Sequence, residues 1–171
     1  MTWMYLVARV LHVTLGALWV GAMTFAAFFL MPAIAEAGPD GAKVMAGINK
    51  RKYMTILPAV AGTNVLLGLW LYWRYTNGFD PAISRTPGAM VFGAGGVIAI
   101  IALTAGMNAV RGNMIKAGAL AMKAGGMPDG AEKAKLMSEA AARRQRAMRA
   151  APIVSVMLLI TVMLMAIGHY I

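Results

Sequence analysis

The sequence predicts an all-α membrane protein: a four-helix transmembrane bundle, up-down-up-down, with a cytoplasmic helical hairpin extending its third and fourth helices. Three observations carry this. Of the 171 residues, 60% are hydrophobic and only 13% are charged. Four apolar runs reach the roughly 20 residues that cross the hydrocarbon core of a bilayer. Basic residues gather in alternate connections between those runs, as the positive-inside rule requires.

The first span covers about residues 3–31 and is closed by Pro32. It is too long for a signal-peptide apolar region and has bulky residues where small ones mark a cleavage site, so it is read as retained. The second span, 56–75, takes Pro58 early. The third, 88–110, follows Pro87, and Gly88, Gly93, Gly95 and Gly96 give it a smooth side for close contact with a neighbour. The fourth, 152–170, opens on Pro152, where a missing N–H costs little. All four must be helical, because backbone polar groups in lipid are satisfied only within the segment. Residues 1–171 form a single membrane domain.

Charge sets the orientation. The connection over 111–150 holds nine basic residues (Arg111, Lys116, Lys123, Lys133, Lys135, Arg143, Arg144, Arg146, Arg149) against Asp129, Glu132 and Glu139. The first connection adds Lys43, Lys50, Arg51 and Lys52, whereas the second has only Arg74 and Arg85. The first and third connections therefore face the cytoplasm and both termini lie outside, as in a multi-pass protein of a bacterial-type inner (plasma) membrane. Topology and attraction to anionic lipid account for the net charge of +10, so no nucleic-acid partner is called for. Within 111–150, two stretches of helix-forming Ala, Met, Lys and Arg flank the breaker run 125–130, which predicts the hairpin. The hairpin reads either as a docking surface or as a solvated basic face.

Candidate chemistry rests on the two histidines. On the first helix Arg9, His12, Gly16, Trp19 and Met23 fall at steps of three and four, on one face that looks into the bundle. Thr161, Met165 and His169 repeat the idea at steps of four on the last helix. Counting about 20 residues outward from Pro32 and from Pro152 brings both imidazoles toward the outer interface. Three readings stay open. Bis-histidine haem b would use His12 and His169 as iron ligands, with Arg9 and either Arg74 or Arg85 for the propionates. Copper would add thioethers such as Met165 or Met23. With no cofactor, both histidines are packing or interfacial residues. Asn64 and Asn108 read as polar glue between helices.

Other chemistries have no residues to run on. The chain lacks cysteine, so disulfides, thiolate metal sites and covalent haem attachment are excluded. No Ser/His/carboxylate set, zinc-type His spacing or phosphate-binding glycine loop occurs. All six acidic residues fall in connections, which leaves no carboxylate relay through the bilayer.

The stretch Leu11-His12-Val13-Thr14-Leu15-Gly16-Ala17-Leu18-Trp19-Val20-Gly21, followed by Phe25, Phe28 and Pro32, resembles the first helix of the copper-resistance protein D family and its small relatives. More loosely, Lys50-Arg51-Lys52, Pro58, Gly68-Leu69-Trp70-Leu71 and Arg143 to Pro152 are similar to the membrane-bound protoporphyrinogen oxidases of haem synthesis. The resemblance implies a haem or porphyrin contact at His12. The chain departs from the oxidase pattern where that family has a lysine opening the third helix and a histidine near its end. Here those regions read Pro87-Gly88-Ala89-Met90 and Gly106-Met107-Asn108-Ala109.

Together these readings lead to the expectation of a haem b membrane protein engaged in electron transfer or redox chemistry, and, if an enzyme, a membrane oxidoreductase. Its partners would be the lipid bilayer, a membrane redox partner or larger complex, or a second copy of the chain. A cofactor-free accessory or assembly subunit is the alternative, and copper transport or handling the third.

Overall fold

The computed structural model describes residues 3–171. The first span is one continuous rod built from α1 (Trp3–Phe25), a π-helical stretch (Ala26–Leu30) and α2 (Met31–Glu36). α3 (Gly38–Lys50) forms the first connection, and α4 (Tyr53–Tyr75) is the second span. After the short α5 (Pro81–Ser84), α6 (Pro87–Ala105) runs through a second π stretch (Gly106–Gly112) into α7 (Asn113–Gly125). α8 (Ala131–Ile167) returns as a single helix. Four helices are long and apolar enough to cross a membrane.

Each span packs on its neighbours in chain order: α1 on α4, α4 on α6, α6 on α8, and α8 back on α1. The ring is closed. At 1.5 Å per residue, the 34-, 39- and 37-residue rods of the first, third and fourth spans are about 50–60 Å long, well beyond a hydrocarbon core of about 30 Å. The excess on α7 and the first half of α8 is the hairpin, where Arg143 Nη1 donates to Asn113 Oδ1 at 3.3 Å.

Burial runs opposite to that of a water-soluble domain. The interior is largely alanine, with Ala61, Ala89, Ala102, Ala117, Ala124 and Ala147 almost fully buried, whereas Leu66, Met163 and Ile153 are mostly exposed. Small inward residues let helix backbones approach, and lipid covers the large outward ones. Three of the four glycines on α6 are spent on this packing inside the chain. A Cβ on Gly88 would lie 2.6 Å from the Gly168 carbonyl oxygen, one on Gly93 would meet the Tyr72 hydroxyl, and one on Gly95 would meet Met165.

Two prolines behave differently from what the sequence suggests, and a third, Pro58, lies early in its span as expected. Pro32 does not end the first span, which continues to Glu36. Just before it the Met31 N–H bonds the Ala26 carbonyl, five residues back, so the helix widens ahead of the proline ring instead of breaking. Pro152 lies inside α8 and not at its first turn, because the helix starts 21 residues earlier at Ala131. Pro58 lies inside α4. It has no N–H for the Met54 carbonyl four residues back, and Arg111 Nε from the second π stretch takes that oxygen at 2.7 Å.

Candidate site at the histidine end

His12 sits on the α1 face that meets α4, half-buried. Its Nδ1 lies 3.0 Å from the Asn64 backbone oxygen. A carbonyl only accepts, so Nδ1 carries the proton and the lone pair is on Nε2. The ring is pressed against Gly68, where a Cβ would come within 2.7 Å of His12 Cε1. One turn further along α1, Gly16 makes room for the Asn64 side chain, whose nitrogen would be 3.4 Å from a Cβ there. Asn64 is 7% exposed. Its Oδ1 is buried without a partner among the described residues, so the side chain fills space between α1 and α4 more than it ties them.

His169 follows the end of α8 and packs edge-on against Phe92 of α6, with ring centres 5.0 Å apart. Arg9 Nη2 lies 2.9 Å from its Nε2. A guanidinium only donates, so Nε2 of His169 is the acceptor and Nδ1 carries the proton. Gly168 is required here, since a Cβ would fall 2.7 Å from the Phe92 ring.

The two helical stripes thus face different neighbours. The His12 stripe looks toward α4 and, deeper down, into the core, where Trp19 and Met23 are buried. The Thr161–Met165–His169 stripe looks toward α6: Thr161 Oγ1 donates to the Gly95 and Met157 carbonyls at 3.4 and 3.1 Å, and Met165 abuts Gly95. They join at Arg9 and His169. Of the predicted site residues, the structure brings Arg9 to His169 and gives His12 its own partner on α4. Met23 lies eleven residues from His12, about 16 Å along the helix. Met23 is therefore not gathered to the imidazoles, whereas Met165 is one turn from His169 on the same stripe and abuts Gly95. Asn108 turns back to the Thr104 carbonyl of its own helix at 2.9 Å and bridges nothing.

Among the described residues, no group of three His, Cys, Asp or Glu side chains converges. What the histidine end offers a cofactor is therefore one imidazole with a free, oriented Nε2, a second whose Nε2 is occupied by Arg9, and one guanidinium. The carbonyl-anchored Nδ1 of His12 is the outer-shell contact that orients metal-bound histidines and fixes their tautomer. Sequence reading placed the imidazoles at one end but had no means of finding their partners. It also passed over Arg111 and Tyr53 at the opposite end, although a proline early in α4 announces an unpaired carbonyl at Met54.

Comparison with family models, with curated proteins and with solved structures finds no match to this chain.

Proposed function

We propose that the chain is a haem b-binding protein of a bacterial-type inner membrane, using His12 and His169 as iron ligands at its outer face and Arg9 as the cation for the propionates. The observation that supports this most directly is the His12 Nδ1–H bond to the Asn64 carbonyl, which leaves Nε2 ready to coordinate. A haem held this way would supply one-electron transfer to a redox partner in or on the membrane. The chain's own part would be to hold the iron ligands and neutralise the carboxylates. His12 is the better prepared ligand. His169 would have to exchange the Arg9 N–H for iron, which would free the guanidinium for a propionate. In this reading the hairpin faces the cytoplasm and both termini lie outside, and the resemblance of the first helix to the copper-resistance protein D family points the same way at His12.

The test is a reduced-minus-oxidised visible spectrum of protein purified from haem-replete cells. A Soret band with low-spin features is expected, lost in His12→Ala and again in His169→Ala. Absence of haem from the purified protein would falsify the reading, and an unchanged spectrum in one variant would remove that histidine as a ligand.

One specific observation favours a second reading, a cofactor-free accessory or assembly subunit of a larger membrane complex. The Nε2 of His169, the nitrogen a metal would need, already accepts from Arg9. Copper handling finds less support, because Met23 lies far along α1 from both imidazoles. Metal analysis of the same sample distinguishes it.

A further inference from the structure

A second site lies at the hairpin end of the bundle, and it does not depend on haem. All four spans contribute to a cavity of about 80 Å³ whose lining includes Trp19 and Met23 from α1, Leu57 from α4, Ala102 from α6 and Val154 from α8. Both π stretches border it through Ala26 and Gly106, and π turns widen a helix at functional positions. Its wall is almost wholly apolar, and Arg111 and Tyr53 are among the residues that line it. From Arg111 to Ala102 is nine residues, about 13 Å along the helix. Arg111 therefore stands at one end of the wall that the third span gives this slot.

Arg111 is fixed there by the Nε bond to the carbonyl that Pro58 leaves free. Its two terminal nitrogens have no hydrogen-bond partner among the described residues. Nor is there a carboxylate for it, since the ion pairs among the described residues are Lys43–Asp40 and Lys133–Asp129. A guanidinium half-buried at the edge of an apolar slot, with no counter-ion, calls for an anion from outside the chain. The Tyr53 hydroxyl, 3.4 Å from the Ala22 carbonyl, adds a polar group to the lining. The slot holds about half the volume of an engineered cavity of about 150 Å³ that accepts benzene, so it takes a few methylenes of one unbranched chain and not two chains.

We propose that this slot binds a single-chain anionic amphiphile, with its carboxylate or phosphate on the Arg111 guanidinium and the hydrocarbon directed toward Trp19. A free fatty acid and a lysophospholipid share that chemistry.

The test uses full-length chain in non-ionic detergent, with Trp3, Trp70 and Trp73 replaced by phenylalanine so that emission reports on Trp19. Dibromostearic acid and its lysophosphatidic acid counterpart are the anionic probes, dibromostearyl alcohol the neutral one, and a phosphatidylglycerol with two brominated chains the double-chain one. Saturable quenching by one or both anionic probes, about tenfold tighter than by the alcohol, is expected; which of the two binds identifies the source. Arg111→Gln should abolish that preference. Gly106→Leu, which puts a side chain into the slot and leaves Arg111 in place, should abolish quenching itself. Equal binding of the alcohol, tight binding of the two-chain lipid alone, or unchanged quenching in Gly106→Leu overturns the proposal. If Arg111→Gln does not fold, the acid-against-alcohol comparison and Gly106→Leu decide. If the triple-phenylalanine chain does not fold, native mass spectrometry of the unaltered chain with the same probes reads the same contrast.

Discussion

Arg9 and His169 are 160 residues apart in sequence and 2.9 Å apart in space. The guanidinium donates to the ring nitrogen that would otherwise be open to a metal. First and last spans are clasped at one end by a bond between side chains.

That bond is partly exposed, so its worth is modest. A double-mutant cycle on Arg9→Ala and His169→Ala, read by thermal unfolding in detergent, should give a coupling of about 0.5–1 kcal/mol.

Gly68 is the seat of the His12 ring. Gly68→Ala places a methyl 2.7 Å from His12 Cε1, and should destabilise the chain by about 1–3 kcal/mol as α1 and α4 part. Thermal unfolding measures it. A neutral result would mean that the ring swings away freely and is not held by the Asn64 carbonyl.

Pro58 and Arg111 should behave as a coupled pair. Arg111→Ala leaves the Met54 carbonyl without a partner at a cost of about 1–3 kcal/mol. In a Pro58→Ala background the restored N–H reaches that carbonyl, and the same substitution should cost much less. Unfolding of the four proteins of this cycle gives the coupling, and additive effects would show that the 2.7 Å contact contributes nothing.

Ser155 Oγ donates to Thr24 Oγ1 at 2.8 Å between α8 and α1. Bonds of this kind between membrane helices average about 0.6 kcal/mol, since the separated helices also find partners. Ser155→Ala should accordingly shift unfolding only slightly. A loss of several kcal/mol would assign the pair a larger part in holding the bundle than its geometry indicates.

Hydropathy made the spans legible, and the breaker run 125–130 made the hairpin legible. Pro32 and Pro152 were misleading in the same way. Each marks a helix boundary by sequence, yet helices continue through both, and the π turn before Pro32 has no residue signature of its own. The periodicity of Arg9, His12, Gly16, Trp19 and Met23 correctly gives an inward face. What periodicity does not encode is which neighbour that face meets, and so the two histidines share an end of the bundle while engaging different helices. By sequence Arg111 is only one more basic residue of the third connection, yet Pro58 on the facing helix frees a carbonyl that its guanidinium takes.

An interior made of alanine also determines how this protein tolerates change. Ala61, Ala89 and Ala102 are buried so fully that even one added methyl group has something to displace, whereas Leu66 and Met163 are mostly exposed and can be exchanged for another oily residue at little cost. Constraint should therefore fall on the smallest residues of the chain and slacken at the largest, the reverse of the pattern in a domain folded in water.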